Sequence, residues 1–183
     1  MSSHILGIIV TRACQTDLKS FAQKHLFTQL GTEAGEWTQH WEGYYGGAAG
    51  LYLRARDLAK FGLLYLNEGN YMENQIIPAV WVEESLQRYS NDVNSAGIKN
   101  GSVGRYLRNI GYGYQWWSAS VDGYRFNLAW GHGGQFIFLL KEYNTIVVVT
   151  SDPFYGQHDD EAWKHERANI NLVGKFIKSL PKK

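Results

Sequence analysis

Trp130-Gly131-His132-Gly133-Gly134-Gln135-Phe136-Ile137-Phe138 is the stretch on which the reading of this chain turns. Three glycines in four positions separate a strand-like segment from a run of large apolar residues. Glycines there remove side chains, so a ligand or another segment is able to lie close against the backbone. Two readings follow. One is a strand edge that binds an extended substrate through main-chain hydrogen bonds. The other is a tight hairpin connection with His132 as an ordinary polar residue.

On either side of this stretch the pattern is that of strands. Residues 111–120 alternate around Tyr112, Tyr114, Trp116 and Trp117, and Asp122-Gly123 is a hairpin signal. Segments 124–130, 136–141 and 145–150 continue the meander, the last two joined through Glu142-Tyr143-Asn144. Val147-Val148-Val149 reads as a strand covered on both faces. A helix from 159 to about 180 offers Trp163, Ala168, Ile170, Val173, Phe176 and Ile177 for burial.

The first half reads differently. Helical spacing marks residues 4–14, with Ile5, Ile8 and Ile9 on one face and Ser2 or Ser3 as cap. It also marks 17–27, where Asp17 lies near the start and His25 on the stripe reads as a packed residue, and 54–67, which Gly69 ends. Pro78 opens a further helix through Ser85. Residues 32–50, with Trp37, Trp41, Tyr44 and Tyr45, read as an aromatic loop folded back on the core. Residues 91–108, with Gly97, Gly101 and Gly104, read as a polar surface loop. Helices, then an antiparallel sheet, then a covering helix predict an α+β fold. The 183 residues read as one domain, helical and loop-rich over 1–110, sheet plus helix over 111–183.

Composition removes several function classes. The 18 basic and 17 acidic residues leave no electrostatic footprint for nucleic acid. Cys14 is the single cysteine, read as a structural thiol, so no intrachain disulfide forms. No apolar run approaches the roughly 20 residues of a membrane span, and no signal segment opens the chain. His158 and His165 with Asp159, Asp160 and Glu161 lack His-Glu-x-x-His spacing and read as surface at a helix start, so neither a metal nor a cofactor is expected.

A family resemblance enters with Gly50-Leu51-Tyr52-Leu53-Arg54-Ala55-Arg56-Asp57-Leu58-Ala59-Lys60-Phe61-Gly62. It continues, in order, with Leu66-Asn67-Glu68-Gly69, Ile76-Ile77-Pro78, Trp81-Val82, Gly111-Tyr112-Gly113-Tyr114-Gln115-Trp116-Trp117, the His132 stretch and the Val147 strand. The ordered set resembles the serine β-lactamase-like proteins: class C β-lactamases, DD-peptidases (penicillin-binding proteins) and related esterases. The resemblance implies acyl transfer through a serine, with Ser-x-x-Lys supplying nucleophile and base, a Tyr-x-Asn motif, and a Lys-Thr-Gly or His-x-Gly motif on a strand. His132-Gly133-Gly134 matches the third motif, and the backbone N–H of Gln135 would be an oxyanion donor. The implied substrate-side residues are thus His132, Gly133, Gly134 and Gln135. The implied substrates are β-lactams, D-Ala-D-Ala peptides or small esters and amides. The parent family often works outside the cytoplasm.

The catalytic motifs themselves are missing. Ser179-Leu180-Pro181-Lys182 is the one Ser-x-x-Lys, and its proline rules out a catalytic helix turn. Tyr89-Ser90-Asn91 comes too late in the order and reads as a helix end entering a loop. The expectation is the C-terminal portion of such a hydrolase, inactive alone and prone to self-association. The alternative is a non-catalytic binding or interaction module of the same fold.

Overall fold

The computed structural model describes residues 2–40, 42–91, 93–94, 98–156 and 159–181. The helical half comprises α1 (Ser2–Cys14), α2 (Leu18–Ala22) running into a π-helical turn at Gln23–Phe27, α3 (Ala55–Leu66) and α4 (Ala79–Ser85). A small hairpin of β1 (Asn70–Tyr71) and β2 (Asn74–Gln75) joins α3 to α4. Then come β3 (Arg108–Gly113), β4 (Trp116–Val121), β5 (Tyr124–Gly131), β6 (Gln135–Leu140) and β7 (Thr145–Val149), followed by α5 (Asp159–Ser179). The last five strands form an antiparallel sheet in sequence order. The α+β order read from the sequence holds, and the last two strands pair with Phe136 opposite Val149 and Leu140 opposite Thr145.

Local chemistry fixes the element ends. Asp17 caps α2 by accepting from the backbone N–H and the hydroxyl of Ser20. After α3 the chain turns through Glu68 and Gly69, both at positive φ, and the Gly69 N–H closes onto the Leu64 carbonyl. Asp122-Gly123 makes the β4–β5 turn with φ of 50° and 89°, as its residue types require.

The sheet buries both faces. Phe126, Leu128, Phe136, Phe138 and Leu140 meet Ile170, Val173 and Ile177 of α5. Trp116, Ile137 and Leu139, with Ile146 and Val148, meet Tyr65 and Phe61 of α3 and Val82 of α4. Gly62 lets α3 sit down on the sheet: a Cβ there would lie 2.9 Å from Ile146 and 3.0 Å from Ile137. The residues of β7 are half-buried, since it is an edge strand touched on both faces.

Several local expectations are corrected. Segment 111–120 is two strands, not one: Tyr114 and Gln115 take φ of 40° and 74° and form a hairpin tip. The aromatic alternation runs straight through that tip and hides it. The 91–108 segment is not merely surface, because Ile98, Val103 and Leu107 enter the core and Arg108 already begins β3. The apolar face of α1 is uncovered, with Ile5, Leu6 and Ile9 each more than half exposed. Ala168 and Phe176 of α5 face solvent. The aromatic loop packs against α1, where the His40 ring lies tilted against His4 at 4.2 Å; Trp41 and Gly97 lie outside the described residues. His25 is exposed, its ring resting on Phe21. Tyr89–Ser90 runs beside β3, where Ser90 bridges to Tyr112.

Replacing Gly62 with leucine forces α3 off β6 and β7. Urea denaturation should show a loss of about 1–3 kcal/mol, the usual cost of overpacking; unchanged stability would mean that the helix is free to shift. A second expectation concerns alkaline pH. Burial pushes the Tyr124 hydroxyl up to about 12 from 10.0. The folded chain therefore keeps a proton that the unfolded chain has released. That contribution is intact below pH 10 and is lost as pH rises toward 12. Denaturation midpoints of Tyr124→Phe should fall less steeply across that window than those of the parent chain.

Candidate functional site

The β5–β6 connection is a three-residue loop, His132-Gly133-Gly134, closed by Gly131 opposite Gln135. Gly133 and Gly134 take φ of 76° and 91°, a region that favours glycine. Space demands glycine as well. A Cβ on Gly133 would fall 2.6 Å from Pro153 Cα, and one on Gly134 2.8 Å from the Asn169 side-chain nitrogen. His132 between them and Gly131 is exposed, whereas both loop glycines are buried.

The loop is held from behind by a carboxylate. Glu166 of α5 is buried at 6% exposure. Its Oε2 accepts the Gly133 backbone N–H at 2.9 Å, and its Oε1 accepts the Trp130 indole N–H at 2.6 Å. A buried carboxylate is tolerated when its oxygens are so occupied. The Trp130 ring stacks on Trp163 at 6.3 Å, which fixes α5 against the same strand end.

Gln135 works sideways. Its amide nitrogen donates to the Ser151 carbonyl, and its Oε1 accepts the Ser151 N–H at 3.1 Å. The side chain thereby extends the β6–β7 pairing past Val149. The Ser151 hydroxyl in turn meets His165 Nε2 of α5 at 2.6 Å, and the His165 ring lies on Tyr155 at 4.4 Å. The loop, the end of β7 and α5 thus form one hydrogen-bonded corner.

The four residues singled out in the sequence, His132, Gly133, Gly134 and Gln135, are contiguous at this corner. Glu166, Ser151 and Asn169 were missed, and His165 was read otherwise. For Glu166 a signal existed: Trp163, Glu166, Ile170, Val173 and Ile177 recur at spacings of three and four, so the glutamate falls on the buried stripe. His165, read as surface, is half-buried; His158 lies outside the described residues. No group of three or more His, Cys, Asp or Glu side chains stands close enough to hold a metal ion among the described residues.

The family model described as Beta-lactamase matches residues 2–172. The chain belongs to the beta-lactamase family. Among solved structures, one similar protein is named "Putative 6-aminohexanoate-dimer hydrolase from Bacillus anthracis". It is 23% identical, with a TM-score of 0.69 over 97% of this chain and 43% of its own. The beta-lactamase-family chain described here therefore spans less than half of that protein's length, and at this identity the likeness carries the fold alone. Among curated proteins there is no match.

Glu166→Gln replaces one of two acceptor oxygens with a donor that faces an N–H group. Hydrogen bonds to a charged group are worth about 1.5–3 kcal/mol each, so a stability loss of that order is expected on urea denaturation. The Gly133 amide should exchange faster with solvent. Unchanged exchange would show that glycine packing alone holds the loop.

Proposed function

We propose that this chain supplies the substrate-side portion of a serine β-lactamase-like acyl-transfer site, as one domain that forms part of a longer hydrolase fold. The observation that carries the reading is the pinned His132-Gly133-Gly134 loop, whose rear is filled by Glu166, Pro153 and Asn169 and whose His132 faces outward. By family resemblance the Gln135 backbone N–H is the oxyanion donor. A donor held rigid in this way stabilises charge that appears only in the tetrahedral intermediate, which raises the rate rather than the ground-state affinity. The substrate class is a β-lactam, a D-Ala-D-Ala peptide or a small ester or amide. The 6-aminohexanoate dimer in the name of the Bacillus anthracis structure is itself an amide.

The same reading makes the isolated chain inactive. Ser179 ends α5, its hydroxyl is spent on the Phe176 carbonyl, and Pro181 follows. It offers no helix turn on which a lysine would activate it. A chromogenic β-lactam and a p-nitrophenyl ester should both go unhydrolysed beyond the background rate. A product burst with a stable acyl adduct on any serine, seen by intact mass, would sink the reading.

Self-association belongs to this proposal too. The exposed Ile5, Leu6 and Ile9 face of α1 and the outer edge of β7 are apolar surface and unpaired backbone that a second chain would cover. Light scattering across a dilution series should show a concentration-dependent oligomer, and Ile5→Lys with Ile9→Lys should shift it toward monomer. A monodisperse monomer at every concentration would refute the association.

A further inference from the structure

The sheet face that receives α3 and α4 changes character along its length. Under α3 it is apolar, with Trp116, Ile137, Leu139 and Ile146. Toward β3 it turns polar. Ser118 lies opposite Asn127 and Ser120 opposite Arg125 across the β4–β5 pair. Alternation along the strands puts all four on the face of Trp116. Arg88, from the segment after α4, lies over Gly111 of β3, where a Cβ would collide with its Nε.

Between Arg88 and this polar strip is a cavity of about 230 Å³, lined by Arg88, Arg125, Asn109, Ser118 and Asn127 with Leu86 and Phe126. No Asp or Glu lines it among the described residues. Arg88 Nε and Ser118 Oγ are both buried and have no hydrogen-bond partner among the described residues. Neither Arg88 nor Arg125 takes part in a salt bridge among the described residues. Buried polar groups in folded proteins are ordinarily satisfied, so two orphans in one cavity call for a missing partner. What is missing is an acceptor carrying negative charge. A carboxylate fits, because guanidinium groups bind its two oxygens side by side.

The cavity adjoins a second one of about 580 Å³ between α3, α4 and the β5–β6 strands. The two share Leu86, Gln87, Arg125, Phe126 and Asn127. Tyr65, Val82, Leu86 and Leu139 give the second cavity apolar walls. Glu83 also lines it, while Glu68 at its rim is paired with Lys141 at 2.9 Å, so beyond Arg125 the body of the ligand meets no unpaired cation there. We propose that this groove is a binding site for a small monocarboxylate with an apolar body, its head between Arg88 and Arg125 and its body under α4. Six residues of β5 lie between Arg125 and His132, about 20 Å of strand. The groove therefore lies at the opposite end of β5 from the glycine loop.

Octanoate tests the site directly, by isothermal titration into the full 183-residue chain. Saturable one-to-one binding is expected, with no comparable binding of octylammonium, which keeps the body and reverses the charge. Arg125→Met, on an exposed strand position, should weaken octanoate binding about tenfold or more, and Arg88→Met likewise. Circular dichroism establishes that each variant is folded. If Arg88→Met unfolds, Arg125→Met and Ser118→Ala carry the test. No saturable octanoate binding to the folded parent chain, equal binding of octylammonium, or unchanged affinity in Arg125→Met would each overturn the proposal.

Discussion

The carboxylate of Glu166 is the point at which the two halves of the C-terminal architecture are tied together. It accepts one N–H from Trp130, at the end of β5, and one from Gly133, inside the turn. A buried carboxylate without such donors would be costly, and so would a buried Gly133 N–H without an acceptor. Each group thus makes the other tolerable. The arrangement sets the rotation of α5, since a slip of one residue swings a side chain by about 100° and would take the carboxylate off the loop. It also explains both loop glycines, because a helix and Pro153 drawn so close leave no room for a Cβ.

Sheet and helices then divide the remaining work. The α5 face is closed by large side chains, Phe136 and Phe138 against Ile170 and Val173. The other face is closed only along part of its length, where Gly62 lets α3 approach Ile137 and Ile146. α4 is seven residues long and covers little more than Trp116, Leu139 and their neighbours. Beyond it the strands carry Ser118, Arg125 and Asn127, residues suited to water or a ligand rather than to a core.

The strands flanking the glycine loop were legible because alternation and the Asp122-Gly123 turn report strongly on local structure. So was α3, whose stripe ends at a glycine that does adopt positive φ. The hairpin at Tyr114-Gln115 was not legible: neither residue signals a left-handed turn, and the aromatics keep alternating across it. The burial of Ile98, Val103 and Leu107 was hidden by glycines and polar neighbours around them. At the candidate site, the glycines and His132 stood out by composition. Their support did not, since Glu166, Ser151 and His165 are distant in sequence from the loop and meet it only through the packing of α5. The α1 stripe was misleading for the converse reason: periodicity shows that a helix has an apolar face, never what covers it.

The way the loop is supported also constrains how any chemistry at it must proceed. Glu166, Pro153 and Asn169 fill the space behind Gly133 and Gly134, and the Gln135 side chain is committed to both backbone groups of Ser151. A substrate following the proposed reading therefore approaches from the side on which His132 is exposed, and meets backbone rather than side chain. A nucleophile serving that substrate must stand on the same open side. The Ser151 hydroxyl in this corner faces His165 and α5. The corner thus holds a backbone still, as the proposed oxyanion donor would require.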